Sequence, residues 1–276
     1  MDTLHAIILG VVQGLTEFLP VSSSGHLQLV PWLFGWDDFA GNEELEKAFD
    51  VAVHLGTLVG AVAYLRHDVI RYSRAGVTMA ITRRPSPDGT VGWLLLATVI
   101  PAALVGVVAE GLIERLDDDI WLTAVTLIVF GLLLLAADRM GGQRSGGTFG
   151  WRDAAALGVA QACALQPGVS RSGVTVTAAR ALKFERADAT RLVFLMSIPI
   201  IAGAGLYSFI DIGGLDGIPS DFRAAFLWGM VSSAVTGWVA VWGLLQYVRS
   251  RDFSPFVASR VIAGIAVLSI FATSWR

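Results

Sequence analysis

Charge is what this sequence has least of: Asp, Glu, Lys and Arg make up 16% of its 276 residues, against 54% hydrophobic residues and a mean hydropathy of +0.64. So little charge cannot solvate an ordinary globular surface. The soluble domain classes are thereby excluded, and a polytopic membrane protein is left. There is a single cysteine, Cys163, so no intramolecular disulfide braces the chain, and a thiol-based chemistry is a weak reading. No basic residue precedes Lys47, so the N-terminus lacks a positive leader region and no cleavable signal peptide is expected. The net charge of -3 says little by itself, because in membrane proteins the placement of Lys and Arg carries the information, and no nucleic-acid partner is expected.

What is present is a set of long apolar runs. A spanning helix needs roughly 20 mostly apolar residues, and six segments qualify: 48–65, 91–109, 120–137, 192–210, 224–247 and 257–274. If residues 1–47 lie outside, the loops 66–90, 138–153, 180–191 and 248–256 lie in the cytoplasm. They hold Arg66, Arg71, Arg74, Arg83, Arg84, Arg139, Arg144, Arg152, Arg180, Lys183, Arg186, Arg191, Arg249 and Arg251, with Arg260 just beyond. The outer side keeps only Lys47, Arg115, Arg223 and Arg276. This bias orients a multi-pass membrane protein with both termini outside.

Two stretches do not fit a simple span, near 4–35 and 154–182. Each has an apolar arm broken by Pro and Gly, a Ser-rich turn and a second short arm, Leu27–Trp36 in one and Val174–Leu182 in the other. That pattern describes a re-entrant helical hairpin, tolerated at membrane depth only where its backbone faces protein or a wet cavity. The two also match each other at an offset of 148 without a gap, from Leu9/Leu157 to Gly25/Gly173. The expected fold is all-α and integral to the membrane: six transmembrane helices plus two re-entrant hairpins in an inverted-topology repeat. The halves are 1–137 and 154–276, joined by a Gly-rich cytoplasmic linker of flexible composition, 138–153. Such repeats place binding sites where their broken helices meet, with half-helix N-termini facing anionic groups.

Polar residues in these breaks are expensive in lipid and therefore candidates for function. Arg171, between Ser170 and Ser172, is the one basic residue that finds no aqueous loop, and a buried guanidinium calls for phosphate or carboxylate. The turn Pro167-Gly168-Val169-Ser170-Arg171-Ser172-Gly173 supplies amides and hydroxyls that cradle a phosphate; the competing reading is a structural clamp between Arg171 and Glu17. Gln13 and Glu17 share one helix face and could hold Mg2+ or Ca2+ with shared substrate oxygens; alternatively Gln13 only satisfies backbone freed by the break. Ser22, Ser23 and Ser24 precede His26, a hydroxyl and imidazole set suited to nucleophilic and acid/base work, although a serine there also caps a helix. His54 and Asp50 read as helix-packing residues.

Gln13-Gly14-Leu15-Thr16-Glu17 with Ser22-Ser23-Ser24-Gly25-His26 resembles the (E/Q)xxxE and Ser/His motif of the undecaprenyl-diphosphate phosphatase (bacitracin-resistance protein) family, and Pro167 to Thr175 resembles its PGxSRSxxT motif. The resemblance covers essentially the whole chain. It implies a membrane enzyme that hydrolyses undecaprenyl diphosphate to the monophosphate and inorganic phosphate, recycling the cell-wall lipid carrier, with a divalent cation, Mg2+ or Ca2+. By motif position, Glu17 would be the essential acid near metal or base, Ser23 the nucleophile or phosphate ligand, His26 the acid/base partner and Arg171 the phosphate clamp. Ser22, Ser24, Gly168, Ser170, Ser172 and Thr175 complete the expected phosphate site, and Gln13 with Glu17 the metal site. Position 13 is Gln where many members have Glu, which weakens a two-carboxylate metal site. The lipid phosphatases of the phosphatidic-acid type are excluded, because no histidine follows Ser170-Arg171. A prenyl-phosphate flippase on the same fold is the alternative function, and substrate lipid, membrane lipids and a second copy of the chain are the expected partners.

Overall fold

The computed structural model describes residues 1–117, 120–211, 214 and 218–272, without the side chains of 110, 112–117 and 271. The sequence readings for Arg115 and Arg276 and for the last residues of the sixth segment lie outside that description. Eleven α-helices run through the described residues: α1 (Thr3–Phe18), α2 (Ser23–Phe34), α3 (Glu43–Thr82), α4 (Pro87–Ala97), α5 (Val99–Asp117), α6 (Ile120–Arg139), α7 (Trp151–Cys163), α8 (Arg171–Ala181), α9 (Arg186–Asp211), α10 (Ser220–Tyr247) and α11 (Ser254–Ala272). No β-strand occurs among the described residues. Five helical segments are long and apolar enough to cross a bilayer: α3, Pro87–Ala109, α6, α9 and α10; α1 and α11 are shorter apolar helices. Their outward faces are apolar, with Val107, Val108 and Tyr207 largely exposed, as lipid-solvated surfaces must be. The chain is a multi-pass membrane protein.

Helix starts follow the repeat. α1 and α7 begin at matched positions, Thr3 and Trp151, as do α2 and α8, Ser23 and Arg171. The short arms thus start three or four residues earlier than the apolar pattern indicates, because the serines themselves head the helices. Immediately before each second arm stands a serine in the left-handed region, Ser22 (φ 76°) and Ser170 (φ 67°). A non-glycine residue held there twice, at equivalent positions, marks a backbone fixed by its surroundings.

The sequence pattern is corrected in three places. α3 runs unbroken to Thr82, so Arg66, Arg71 and Arg74 lie on a helix and not in a loop; charged residues solvate its extension beyond the apolar run. The Gly-rich linker is tied down: Arg144 pairs with Asp153 (2.9 Å) and lies over the Phe184 ring, while buried Asp138 receives Arg180 (2.9 Å) and Arg186 (2.7 Å). Arg260, placed by pattern just past an inner loop, is 1% exposed inside α11.

The chain divides into two compact units. One comprises Met1–Phe18, Ser23–Tyr64 and Ser197–Leu244; the other comprises Leu19–Ser22, Leu65–Met196 and Leu245–Arg276. In the first, α1, α3 and α10 pack through small residues. A Cβ on Gly14 would stand 2.6 Å from the Ser233 carbonyl, and one on Gly60 2.3 Å from that of Ala234, so these backbones touch without side chains between them. Phe49 and Phe226 meet edge to face in the adjoining core. In the second unit, α6 packs on α11, and α7 on α5 and α8. Pro101, which cannot donate to the turn before it, sits just after the interruption at Thr98 that separates α4 from α5. The Thr98 carbonyl is met there by Gln161 Nε2 (3.2 Å).

Candidate functional site

The first break gathers its chemistry around one carboxylate. Gln13 and Glu17, one helical turn apart on α1, are 0% and 6% exposed, and Gln13 Nε2 donates to Glu17 Oε2 at 2.9 Å. Ser23 Oγ, at the start of α2, donates to the same oxygen at 2.6 Å, a short charge-assisted bond. The sharp turn through Leu19, Pro20, Val21 and Ser22 is what brings position 23 back over position 17. His54 of α3 completes the cluster, its Nε2 3.5 Å from Glu17 Oε2. The His54 Nδ1–H donates to the Asp50 carbonyl at 2.7 Å, and this leaves Nε2 as the nitrogen that faces the carboxylate. Sequence reasoning set His54 aside; the available signal was an Asp and a His four apart in an otherwise apolar helix.

The second break is built on the same plan with different groups. Ser170 Oγ accepts from the Gly173 amide (3.2 Å) and caps α8, whose first residue is Arg171. Ser172 Oγ donates to the Leu19 carbonyl at 2.9 Å and lies 3.3 Å from Ser170 Oγ. This contact lies within the second unit, and it brings the turn of the first break against the first turn of α8. Gly168 has φ +79°, and a Cβ there would stand 2.4 Å from the Thr123 carbonyl, so only glycine fits. Thr126 Oγ1 donates to the Pro167 carbonyl (2.7 Å), which fixes the turn from the side of α6.

The expected residues therefore fall in two groups. Gln13 and Ser23 both bond Glu17; Gly168, Ser170 and Ser172 form one turn with Arg171 half-buried at its helix start. Ser22 is buried in the turn, Ser24 is exposed and His26 half-buried on α2. Thr175 is buried, and its hydroxyl donates to the Arg171 carbonyl at 2.6 Å.

Whether a hard divalent ion suits the first cluster is tested by Gln13. Its Oε1 is buried with no hydrogen-bond partner, an acceptor beside a carboxylate that a cation would satisfy. Among the described residues no three His, Cys, Asp or Glu side chains assemble into a ligand set, so such an ion would take most of its shell from substrate oxygens and water. The residues fit a sparse site of that kind.

A family profile described as bacitracin resistance protein BacA matches residues 6–266. The chain belongs to that family. Relatives named undecaprenyl-diphosphatase include one from Pelobacter propionicus, 44% identical over 99% of this chain and 98% of its own length. Others from Geobacter metallireducens (43% identical; 97% of this chain, 98% of its own) and Nocardioides sp. (40%; 99% and 98%) carry the same name. Both breaks lie inside the matched region of the family.

Proposed function

We propose that this protein is an undecaprenyl-diphosphatase, hydrolysing the lipid diphosphate to the monophosphate and inorganic phosphate. One observation carries the reading most strongly. Ser23 is hydrogen-bonded to buried Glu17 directly after the turn whose Leu19 carbonyl accepts from Ser172, the neighbour of Arg171. A hydroxyl activated by a carboxylate and a guanidinium at a helix start suit phosphoryl transfer, in which positioning and neutralisation of charge do most of the work.

In this mechanism Arg171 and the turn amides bind the diphosphate. Glu17 takes the proton of the attacking group as the terminal phosphorus parts from the bridging oxygen and the lipid monophosphate leaves. Attack by water gives inorganic phosphate at once, whereas attack by Ser23 gives a phosphoserine that a water, deprotonated by the same carboxylate, then cleaves to inorganic phosphate and free Ser23. His54 and His26 are the groups that carry protons to and from this carboxylate and the leaving phosphate. Gln13 and Glu17 would hold Mg2+ or Ca2+, which supplies charge stabilisation for the phosphoryl oxygens when bound. The fold reading that accompanies this function has six spans and two re-entrant hairpins of opposite topology, a site open to the outer face of a bacterial inner membrane, and both termini outside.

Purified protein in detergent, where sidedness vanishes, should release inorganic phosphate from undecaprenyl diphosphate. Chelation should stop the reaction and added Mg2+ or Ca2+ restore it. No release under any metal condition would contradict the assignment and favour a flippase.

A further inference from the structure

Arg260 is the largest fully buried side chain among the described residues, and no step above uses it. Its Nε donates to the Leu127 carbonyl of α6 (3.1 Å), and its Nη2 to the carbonyls of Gly168 (2.8 Å) and Val169 (3.0 Å) in the second break. Its Nη1 reaches the Pro20 carbonyl of the first break at 3.4 Å. All five residues belong to the second unit. The other buried arginine among the described residues, Arg180, is neutralised by Asp138 at 2.9 Å. Arg260 has no carboxylate within ion-pair distance among the described residues.

Carbonyls satisfy the hydrogen bonds of a guanidinium without cancelling its charge. A buried, uncompensated cation is costly, and an apolar side chain would serve packing better. The arrangement becomes economical when an anion arrives. Gly173 shows where: a Cβ on it would stand 2.8 Å from Arg260 Nη1, so the guanidinium lies against the first turn of α8, two residues from Arg171. Peptide planarity adds a second effect. The carbonyl of Val169 drawn toward Arg260 turns the N–H on the far side of its plane away from it, which presents the Ser170 amide on the opposite face, while the Val169 amide is held by the Gln166 carbonyl (3.3 Å).

We propose that Arg260 is a positioning residue of the phosphate site, pinning the carbonyls of both breaks with one guanidinium while its uncancelled charge lowers the energy of a bound phosphoryl group. The proposal rests on the diphosphatase reading. It acts through the field and the aligned Ser170 amide, as preorganised charge does in phosphoryl transfer.

The test uses the full chain in detergent with farnesyl diphosphate as substrate, measuring kcat, KM, inhibition by inorganic phosphate and the melting temperature. Arg260→Met should lower kcat by about 100-fold and weaken phosphate inhibition, and Arg260→Lys should recover at least about tenfold of that loss by restoring the charge. Gly173→Ala, which keeps the arginine but displaces it, should give a smaller fall of the same kind. A folded Arg260→Met protein with wild-type kcat and phosphate inhibition would overturn the proposal. So would a Lys variant as impaired as Met, with activity falling only in step with melting temperature, since that is a purely structural pin. Wild-type protein that released no phosphate would sink the diphosphatase reading instead; loss of phosphate binding in Arg260→Met would then still support the anion role.

Discussion

The two broken-helix elements share a scaffold and differ in chemistry. At matched positions both carry a buried glutamine, a serine in the left-handed region and a second arm that starts on the next residue. Where the first has Glu17, Ser23 and His26, the second has Leu165, Arg171 and Val174. Even the shared glutamine does different work: Gln161 meets the Thr98 carbonyl at the interruption between α4 and α5, whereas Gln13 meets a carboxylate. In the proposed mechanism the first break supplies the proton chemistry and the second the positive charge, a division that suits an anionic substrate needing both.

Breaking that asymmetry should have its largest effect at position 17. Glu17→Leu makes the first copy resemble the second and should lower kcat by about 1,000-fold or more. The reciprocal site is silent: Leu165→Gln should leave phosphate release within about twofold of wild type. His54→Gln keeps a polar group beside Glu17 but cannot carry a proton, and should lower kcat by roughly tenfold to 100-fold with little change in KM. The glutamines give the smallest and most informative contrast. Gln161→Leu removes the hydrogen bond to the Thr98 carbonyl and should cost about 0.5–1.5 kcal/mol of stability, read by detergent melting, with kcat nearly unchanged. Gln13→Leu should do the reverse, raising the divalent-ion concentration needed for activity while melting near the wild-type temperature.

Much of this asymmetry was legible in the sequence, because the offset of 148 aligns the two breaks and the polar residues stand out against apolar arms. The family motifs, the all-helical class and the contact of Glu17 with Gln13 follow from local spacing. Three features do not. The length of α3 was hidden because a helix continues past the membrane wherever arginines solvate it. His54 lies 37 residues from Glu17 in sequence, and only the packing of α3 on α1 brings them together. Arg260 looked like an interfacial arginine, since its partners are main-chain carbonyls freed at breaks far away in the chain, and such acceptors leave no mark in a side-chain pattern.

The central claim is that the two breaks serve a single diphosphate, and a double-mutant cycle on kcat/KM tests it most directly. Ser23→Ala, Arg171→Ala and the combined variant would be assayed for phosphate release from undecaprenyl diphosphate in detergent. Residues acting on one transition state are strongly non-additive, so the double variant should be little worse than the poorer single variant. Fully multiplicative losses, or a near-normal Arg171→Ala enzyme, would contradict the account.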